Sequence, residues 1–253
     1  MRFKNKVVVV TGASSGMGRT IAADFAKEGA TVIAVARREE RLLELQEACA
    51  NEAGQIVPFV GDVSSDTVNE AMIDLAVKEY GKIDVLVNNA GIMDEFLPIA
   101  EVDNERIDKI LDLNLKGPMY AMRRAVQVML EQETGGNIVN IASIGGTNGC
   151  RAGAVYTASK HALVGLTHNT AYMYANNNIR CNVICPGGVE TEVAVNCSAP
   201  SEHGISRVMS GLDRSIRIGQ SSEISPMVLF LASDDASFIN GADIKIDGGV
   251  SCN

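Results

Sequence analysis

The order of apolar runs along these 253 residues predicts a doubly wound α/β fold. One predominantly parallel sheet of seven strands is covered by helices on both faces, within a single domain spanning 1–253. Three observations carry this expectation. The chain opens on an uninterrupted β-branched run that ends in a glycine-rich turn and passes into a helical pattern. Apolar runs of strand length then recur without alternation, as they do in a sheet buried on both sides. Helical patterns lie between most of them, which implies parallel βαβ units with right-handed crossovers, the Rossmann-type arrangement.

The strands are expected at Val7 to Val10, Thr31 to Ala36, Ile56 to Val60, Ile83 to Val87, Asn137 to Ile141, Ile179 to Ile184 and Ala242 to Ile246. After the first, Thr20 to Glu28 places Ile21, Ala22, Phe25 and Ala26 at helical spacing, and Gly29 stops it. Val68, Met72, Leu75 and Ala76 mark one face of another helix, ended by Gly81. No repeat, low-complexity tract or Pro/Gly/Ser linker divides the chain. From about 193 to 215 periodicity weakens around Pro200, Gly204 and Gly211, and a connection that long reads as a substrate lid.

A formal net charge of −9 offers no general basic field, which argues against nucleic acid or an anionic membrane as partner. The start lacks an apolar signal-peptide core and no run of about 18 apolar residues occurs, so a cytoplasmic protein is expected. Cys49, Cys150, Cys181, Cys185, Cys197 and Cys252 form no CxxC pair or Cys/His cluster. They read as reduced thiols, with no metal site. His161, His168 and His203 show no ligand spacing either.

Backbone amides at a helix N-terminus carry unpaired donors and partial positive charge, so a glycine-rich strand-to-helix turn can cradle a pyrophosphate. Gly12, Gly16 and Gly18 supply that turn, with Ser14, Ser15 and Met17 among them. The end of the second strand decides the cofactor. An acid there would bind the ribose hydroxyls of NAD and repel a 2′-phosphate. This chain places Ala36 at that point, with Arg37 and Arg38 directly after. A guanidinium binds phosphate through charge-assisted paired contacts, so NADP(H) is the preferred cofactor, with NAD(H) possible.

Tyr156 and Lys160 stand four apart, one turn along a helix, and can present their polar tips to one site. A neighbouring ammonium, with the positive charge of an oxidised nicotinamide, is expected to lower the phenol from its ordinary pKa of about 10 by roughly 2 to 3 units. Such a tyrosine can exchange a proton near neutral pH. Ser143 follows the fifth strand, at the edge where parallel sheets place reactive groups, and its hydroxyl can bond a substrate oxygen. A glycine-rich loop then returns the chain to Tyr156.

At this point the sequence resembles the short-chain dehydrogenase/reductase family along nearly its whole length. Thr11-Gly-Ala-Ser-Ser-Gly-Met-Gly18 resembles the family's TGxxxGxG cofactor loop. Asp62-Val63 is similar to its adenine-contacting pair, and Asn88-Asn89-Ala90-Gly91 to its NNAG strand end. Asn114 matches the asparagine that kinks a long helix and holds a water in the proton relay. Ser143, Tyr156 and Lys160 match the rest of the active tetrad. Pro186-Gly187, with Val189 and Thr191, resembles the segment that meets the nicotinamide carboxamide, and Asp247-Gly-Gly249 the C-terminal signature. The resemblance implies hydride transfer between a nicotinamide and a carbinol or carbonyl carbon. Tyr156 would act as general acid or base, Ser143 would orient the oxygen, and Lys160 would hold the nicotinamide ribose. It also implies a homotetramer, or else a homodimer, joined through long helices at about Asp103 to Glu131 and Val155 to Ala175.

NADP-dependent members of the family often carry a basic residue just before the second loop glycine, where this chain has Ser15. Arg37 and Arg38 must then supply the selectivity. Members acting on acyl carrier proteins carry basic residues near the ends of the long helices, and this chain reads Met129-Leu-Glu-Gln-Glu-Thr-Gly135 and Ala171 to Asn178 there. Two acidic chains repel, which favours a free small molecule. In the lid segment Val193, Val195, Ile205, Val208, Met209 and Leu212 lie beside His203, Arg207 and Arg214, a mixture suited to an amphipathic ketone or alcohol. A hydroxysteroid or bile acid is one expectation and a small cyclic ketone another. The alternatives are a 3-oxoacyl carrier-protein reductase-like enzyme and a non-catalytic dinucleotide sensor.

Overall fold

The computed structural model describes residues 1–192, 199–213 and 215–252. Its sheet has seven strands: β1 Val7–Thr11, β2 Thr31–Ala36, β3 Gln55–Val60, β4 Val85–Asn88, β5 Gly136–Ile141, β6 Ile179–Pro186 and β7 Asp243–Ile246. They lie in the order β3-β2-β1-β4-β5-β6-β7, and all six neighbouring pairs are parallel. Beyond β3 the chain reverses its direction of travel across the sheet, and β4 settles against the other side of β1. The β1/β4 junction is therefore the topological switch point, and the crevice beyond its carboxyl ends is where such sheets bind ligands.

Every residue of β1 is buried, and its side chains alternate between two cores. Val8 and Val10 pack with Ile21 and Phe25 of α1 (Gly16–Lys27), Leu42 and Leu45 of α2 (Glu39–Ala48), and Val228 from a helix at Ser221–Ala232. Val7 and Val9 pack on the opposite face with Met72 and Ile73 of α3 (Asp66–Tyr80), and with Met122 and Met129 from a helix at Gly117–Glu131. Burial on both faces is what makes the strand unbroken in sequence. Gly81 ends α3 in the left-handed conformation, φ 78°, where a side chain would be strained.

The segment 104–131 runs continuously as α4 (Asn104–Leu111), a π-turn at Asp112–Lys116, and α5 (Gly117–Glu131). Asn114 sits in the π-turn, a widening of the helix common at functional sites. The next helix, α6 (Ala154–Met173), carries Tyr156 and Lys160. Two elements depart from the sequence expectation. Helix α1 begins at Gly16 rather than Thr20, because the first turn lies inside the glycine loop and has no apolar stripe to announce it. The weakly periodic segment holds a helix, α7 (Glu202–Ser210), which buries Val208 and exposes His203 and Arg207. Val193, Val195 and Arg214, expected to belong to the lid, lie outside the described residues. Helix α8 (Ser221–Ala232) follows.

Among the described residues no helix is long and apolar enough to cross a membrane, and no cluster of His, Cys, Asp and Glu could hold a metal ion. Cys49, Cys150, Cys181, Cys185 and Cys252 are free thiols. Cys197 lies outside the described residues. His168 meets Asp243 at 3.0 Å, and His161 Nδ1 lies 2.9 Å from the Thr157 carbonyl one turn earlier.

Candidate active site

The carboxyl ends of β1 to β4 converge on a cleft of about 980 Å³. Gly12, Ser14, Ser15, Gly16 and Met17 line it from the glycine loop, Arg37 and Arg38 from the end of β2, and Asp62 and Val63 from beyond β3. Asn89, Ala90, Gly91 and Thr191 complete the lining of those residues singled out from sequence. Gly18 lies beneath the loop instead, where a Cβ would stand 2.3 Å from the Gly12 carbonyl and 2.4 Å from Asn89 Nδ2. Pro186, the last residue of β6, and Gly187 and Val189 just beyond it lie outside that lining. Gly187 presses on Asp247, where a Cβ would sit 2.8 Å from the Asp247 Cβ.

The loop is tied to the switch point by hydrogen bonds. Thr11 Oγ1 accepts from the Asn89 and Ala90 amides at 3.0 and 3.1 Å, and Asn89 Nδ2 donates to the Thr11 carbonyl at 2.9 Å. Ser15 is the N-cap of α1, and its side chain makes no cap bond. The first amides of α1 are left as donors at the lining of the cleft, a cradle that fits a pyrophosphate.

Both arginines meet carboxylates. Arg37 is exposed and stands 3.7 Å from Asp62. Arg38 donates to Glu192 at 2.9 Å and to the Ser14 and Ser15 hydroxyls at 3.0 Å. Ser15 thus holds an arginine that arrives from β2. Glu192 was not foreseen from sequence, since its partner lies 154 residues away.

Three elements place the remaining polar groups next to that lining, at Gly91, where a Cβ would stand 3.3 Å from Asn114 Oδ1 and 3.4 Å from Lys160 Nζ. β5 delivers Ser143 just past its end, and Ser143 Oγ accepts from the Gly145 amide at 3.0 Å. Helix α6 supplies Tyr156, whose phenol lies close enough to the Ser143 side chain for that side chain to favour its ionised form. Lys160 is buried; its Nζ donates to the Ile141 carbonyl at 2.9 Å and lies 5.6 Å from the Tyr156 ring centroid. Asn114, fully buried at the π-turn, bonds both polar groups of the Ile92 backbone at 2.9 Å. The structure brings together all four residues expected to form the tetrad.

The sequence expectation counted the charge of an oxidised nicotinamide; the chain's own groups act as follows. Burial pushes the Tyr156 phenol up to about 12, opposed by the Ser143 side chain, and burial lowers Lys160 to about 8. The Lys160 ammonium stands 5.6 Å from the centre of the Tyr156 ring, while Asp94 and Cys185 act to raise the phenol further. As a general acid this phenol would be fully protonated at neutral pH; as a base it would gain phenolate as pH rises. Ketone reduction should therefore hold steady across neutral pH and fall only on the alkaline side, while alcohol oxidation climbs with pH. Initial rates in both directions from about pH 6 to 10 check this. A reduction rate that rises with pH would contradict it.

The sequence profile of the family described as "Enoyl-(Acyl carrier protein) reductase" matches residues 12–251. A 3beta-hydroxysteroid dehydrogenase 2 from Eggerthella lenta is 44% identical over 97% of this chain and 95% of its own. A 3-oxoacyl-(acyl-carrier-protein) reductase from Thermotoga maritima is 37% identical over 99% of each. Among solved structures, a levodione reductase superposes with a TM-score of 0.89 at 35% identity, covering 99% of both chains.

Proposed function

The chain belongs to the short-chain dehydrogenase/reductase family, and from that premise we propose an NADP(H)-dependent oxidoreductase that interconverts a secondary alcohol and a ketone on a free hydroxysteroid-like molecule. The observation that carries the chemistry is the juxtaposition of the Ser143 side chain and the Tyr156 phenol, with buried Lys160 behind them, at the carboxyl edge of the sheet. The hydroxysteroid class rests on the 44% identical relative.

When bound, the nicotinamide supplies or accepts the hydride. The rest of the chemistry falls to the chain. Tyr156 would give its proton to the carbonyl oxygen in reduction and take it back in oxidation. Ser143 would hold that oxygen in line. Lys160 spends one donor on Ile141 and has two more to offer the ribose hydroxyls. Asn114 would anchor the inner end of the proton relay. Asp62, Val63, Ala90, Gly91, Pro186, Gly187, Val189 and Thr191 would line the rest of the cofactor's path. The segment 193–215 would close over the substrate, within one domain of 253 residues.

Selectivity for NADP(H) is assigned to Arg37 and Arg38, with NAD(H) as a weaker substrate. Arg37→Asp should lower the NADP-over-NAD ratio of kcat/KM roughly 10- to 100-fold, because a charge-assisted contact is lost and a like charge is added. An unchanged ratio would remove Arg37 from phosphate recognition.

A carrier-linked ketoacyl substrate is the second reading, favoured by the 37% identical relative. Against it, Arg123 and Arg124 of α5 are each paired with an acid of α3, Asp66 at 2.5 Å and Asp74 at 2.6 Å. The net charge of −9 would repel an acidic carrier. Purified protein with NADPH and a panel of 3-oxosteroids, cyclic ketones and acyl thioesters separates the readings by loss of nicotinamide absorbance. Turnover confined to the thioesters would reverse the order. Exposed Met119, Leu130, Tyr172 and Met173 on α5 and α6 support assembly through those helices into a homotetramer of a cytoplasmic enzyme.

A further inference from the structure

Helix α6 must hold Tyr156 at its third position, yet its N-cap is Gly153, which has no side chain to bond the first-turn amides. Asp94, from the loop after β4, makes those bonds. Its Oδ2 accepts from the Tyr156 amide at 2.9 Å, and its Oδ1 from the Gly153 amide at 3.1 Å and the Phe96 amide at 3.2 Å. The residue has no solvent exposure. A Cβ on Gly153 would stand 2.5 and 2.6 Å from its two carboxylate oxygens, so a glycine at 153 is what lets the carboxylate reach the helix. The same loop carries the next link, since the Ala154 amide donates to the Leu97 carbonyl at 2.9 Å.

The geometry points to Asp94 as a positioning residue for the proposed chemistry: its buried carboxylate caps the catalytic helix from a distant loop and fixes the backbone from which Tyr156 reaches the reacting oxygen. This assignment rests on the reading of Tyr156 as the acid and base. The carboxylate's three partners are all N–H donors, which favour its ionised form, while burial works against them and pushes its pKa up. The ionised group also places a negative charge at the positive end of α6, where the helix would otherwise favour the phenolate. The ionisable groups that meet Tyr156 are Asp94 from the β4 loop, Cys185 from the end of β6 and Lys160 from its own helix. Arg106 of α4 pairs with Glu95 and is also within electrostatic reach of Asp94. Asp94 raises the phenol's pKa, so removing its charge moves the proton transfer to lower pH.

The test is Asp94→Asn, which keeps the shape, removes the charge and turns a donor toward an N–H. The expected result is a kcat lower by roughly 10- to 100-fold in both directions, with the KM for NADPH unchanged. The pH midpoint of alcohol oxidation should fall. Asp94→Glu, which restores the charge on a longer stem, should return the midpoint while leaving kcat low. Should Asp94→Asn not fold, Gly153→Ala displaces the cap while keeping the carboxylate, and the same loss of kcat without a change in cofactor KM is expected. Wild-type kcat and pH profile in Asp94→Asn, or wild-type kcat in Gly153→Ala, would overturn the assignment. A wild-type protein that turned over no ketone or alcohol would instead overturn the reading of Tyr156 beneath it.

Discussion

Replacing Tyr156 with phenylalanine should reduce turnover by at least roughly 10³-fold in both directions while leaving NADPH binding within about twofold of wild type. The ring remains, so the packing against α6 and the contact with Lys160 survive. Only the hydroxyl beside Ser143 is lost. That hydroxyl is the proton donor or acceptor, and general acid–base catalysis together with the lost orientation of the oxygen is worth several powers of ten. Single-turnover absorbance and a fluorescence titration with NADPH separate chemistry from binding. Retained turnover would take Tyr156 out of the reaction, and lost binding would make its role structural.

The second large effect belongs to Gly18. A methyl group there would lie 2.3 Å from the Gly12 carbonyl oxygen and 2.8 Å from its carbon. Those atoms are backbone, and the nearby Asn89 amide nitrogen is held by the Thr11 carbonyl, so no flexible side chain can give way. Gly18→Ala must either push the glycine loop off the switch point or unwind the first turn of α1, and both destroy the cradle for the pyrophosphate. We expect NADPH affinity to fall roughly 100-fold or more, with a loss of stability of about 1–3 kcal/mol from overpacking. A thermal melt with and without NADPH checks both. A variant that keeps the wild-type stabilisation by NADPH would contradict the account of the loop.

How much of this was legible in the sequence follows from how locally each feature is determined. The strands were legible because a sheet covered on both faces demands unbroken apolar runs, and Val7 to Val10 could be nothing else. Tyr156 and Lys160 were legible because helical spacing alone brings residues four apart onto one face. An irregularity of the long helix at Asn114 was expected from the family resemblance, and the helix widens there into a π-turn. Asp94 and Glu192 were not legible. Their partners lie 62 and 154 residues away, and only the folded sheet edge brings them together. The helix at Glu202–Ser210 was missed because its apolar side is short, and what holds it is tertiary. The Ser201 amide bonds the Glu95 carbonyl, and Gly204 lies so close to Phe96 that a Cβ would stand 1.7 Å from its carbonyl oxygen. The sequence also could not show how strongly burial acts on the Tyr156 phenol. Spacing places an ammonium near it, and the expected lowering counts a bound nicotinamide as well, but the desolvation that works against both comes from the folded surroundings.

The most direct test of the account follows one hydrogen. A 3β-hydroxysteroid carrying deuterium on the carbinol carbon is incubated with NADP⁺ and the protein, and the mass of the reduced cofactor is read. The account predicts a gain of one deuterium, present with the wild type and absent with Tyr156→Phe. Reduced cofactor of ordinary mass, or equal labelling from the phenylalanine variant, would contradict it.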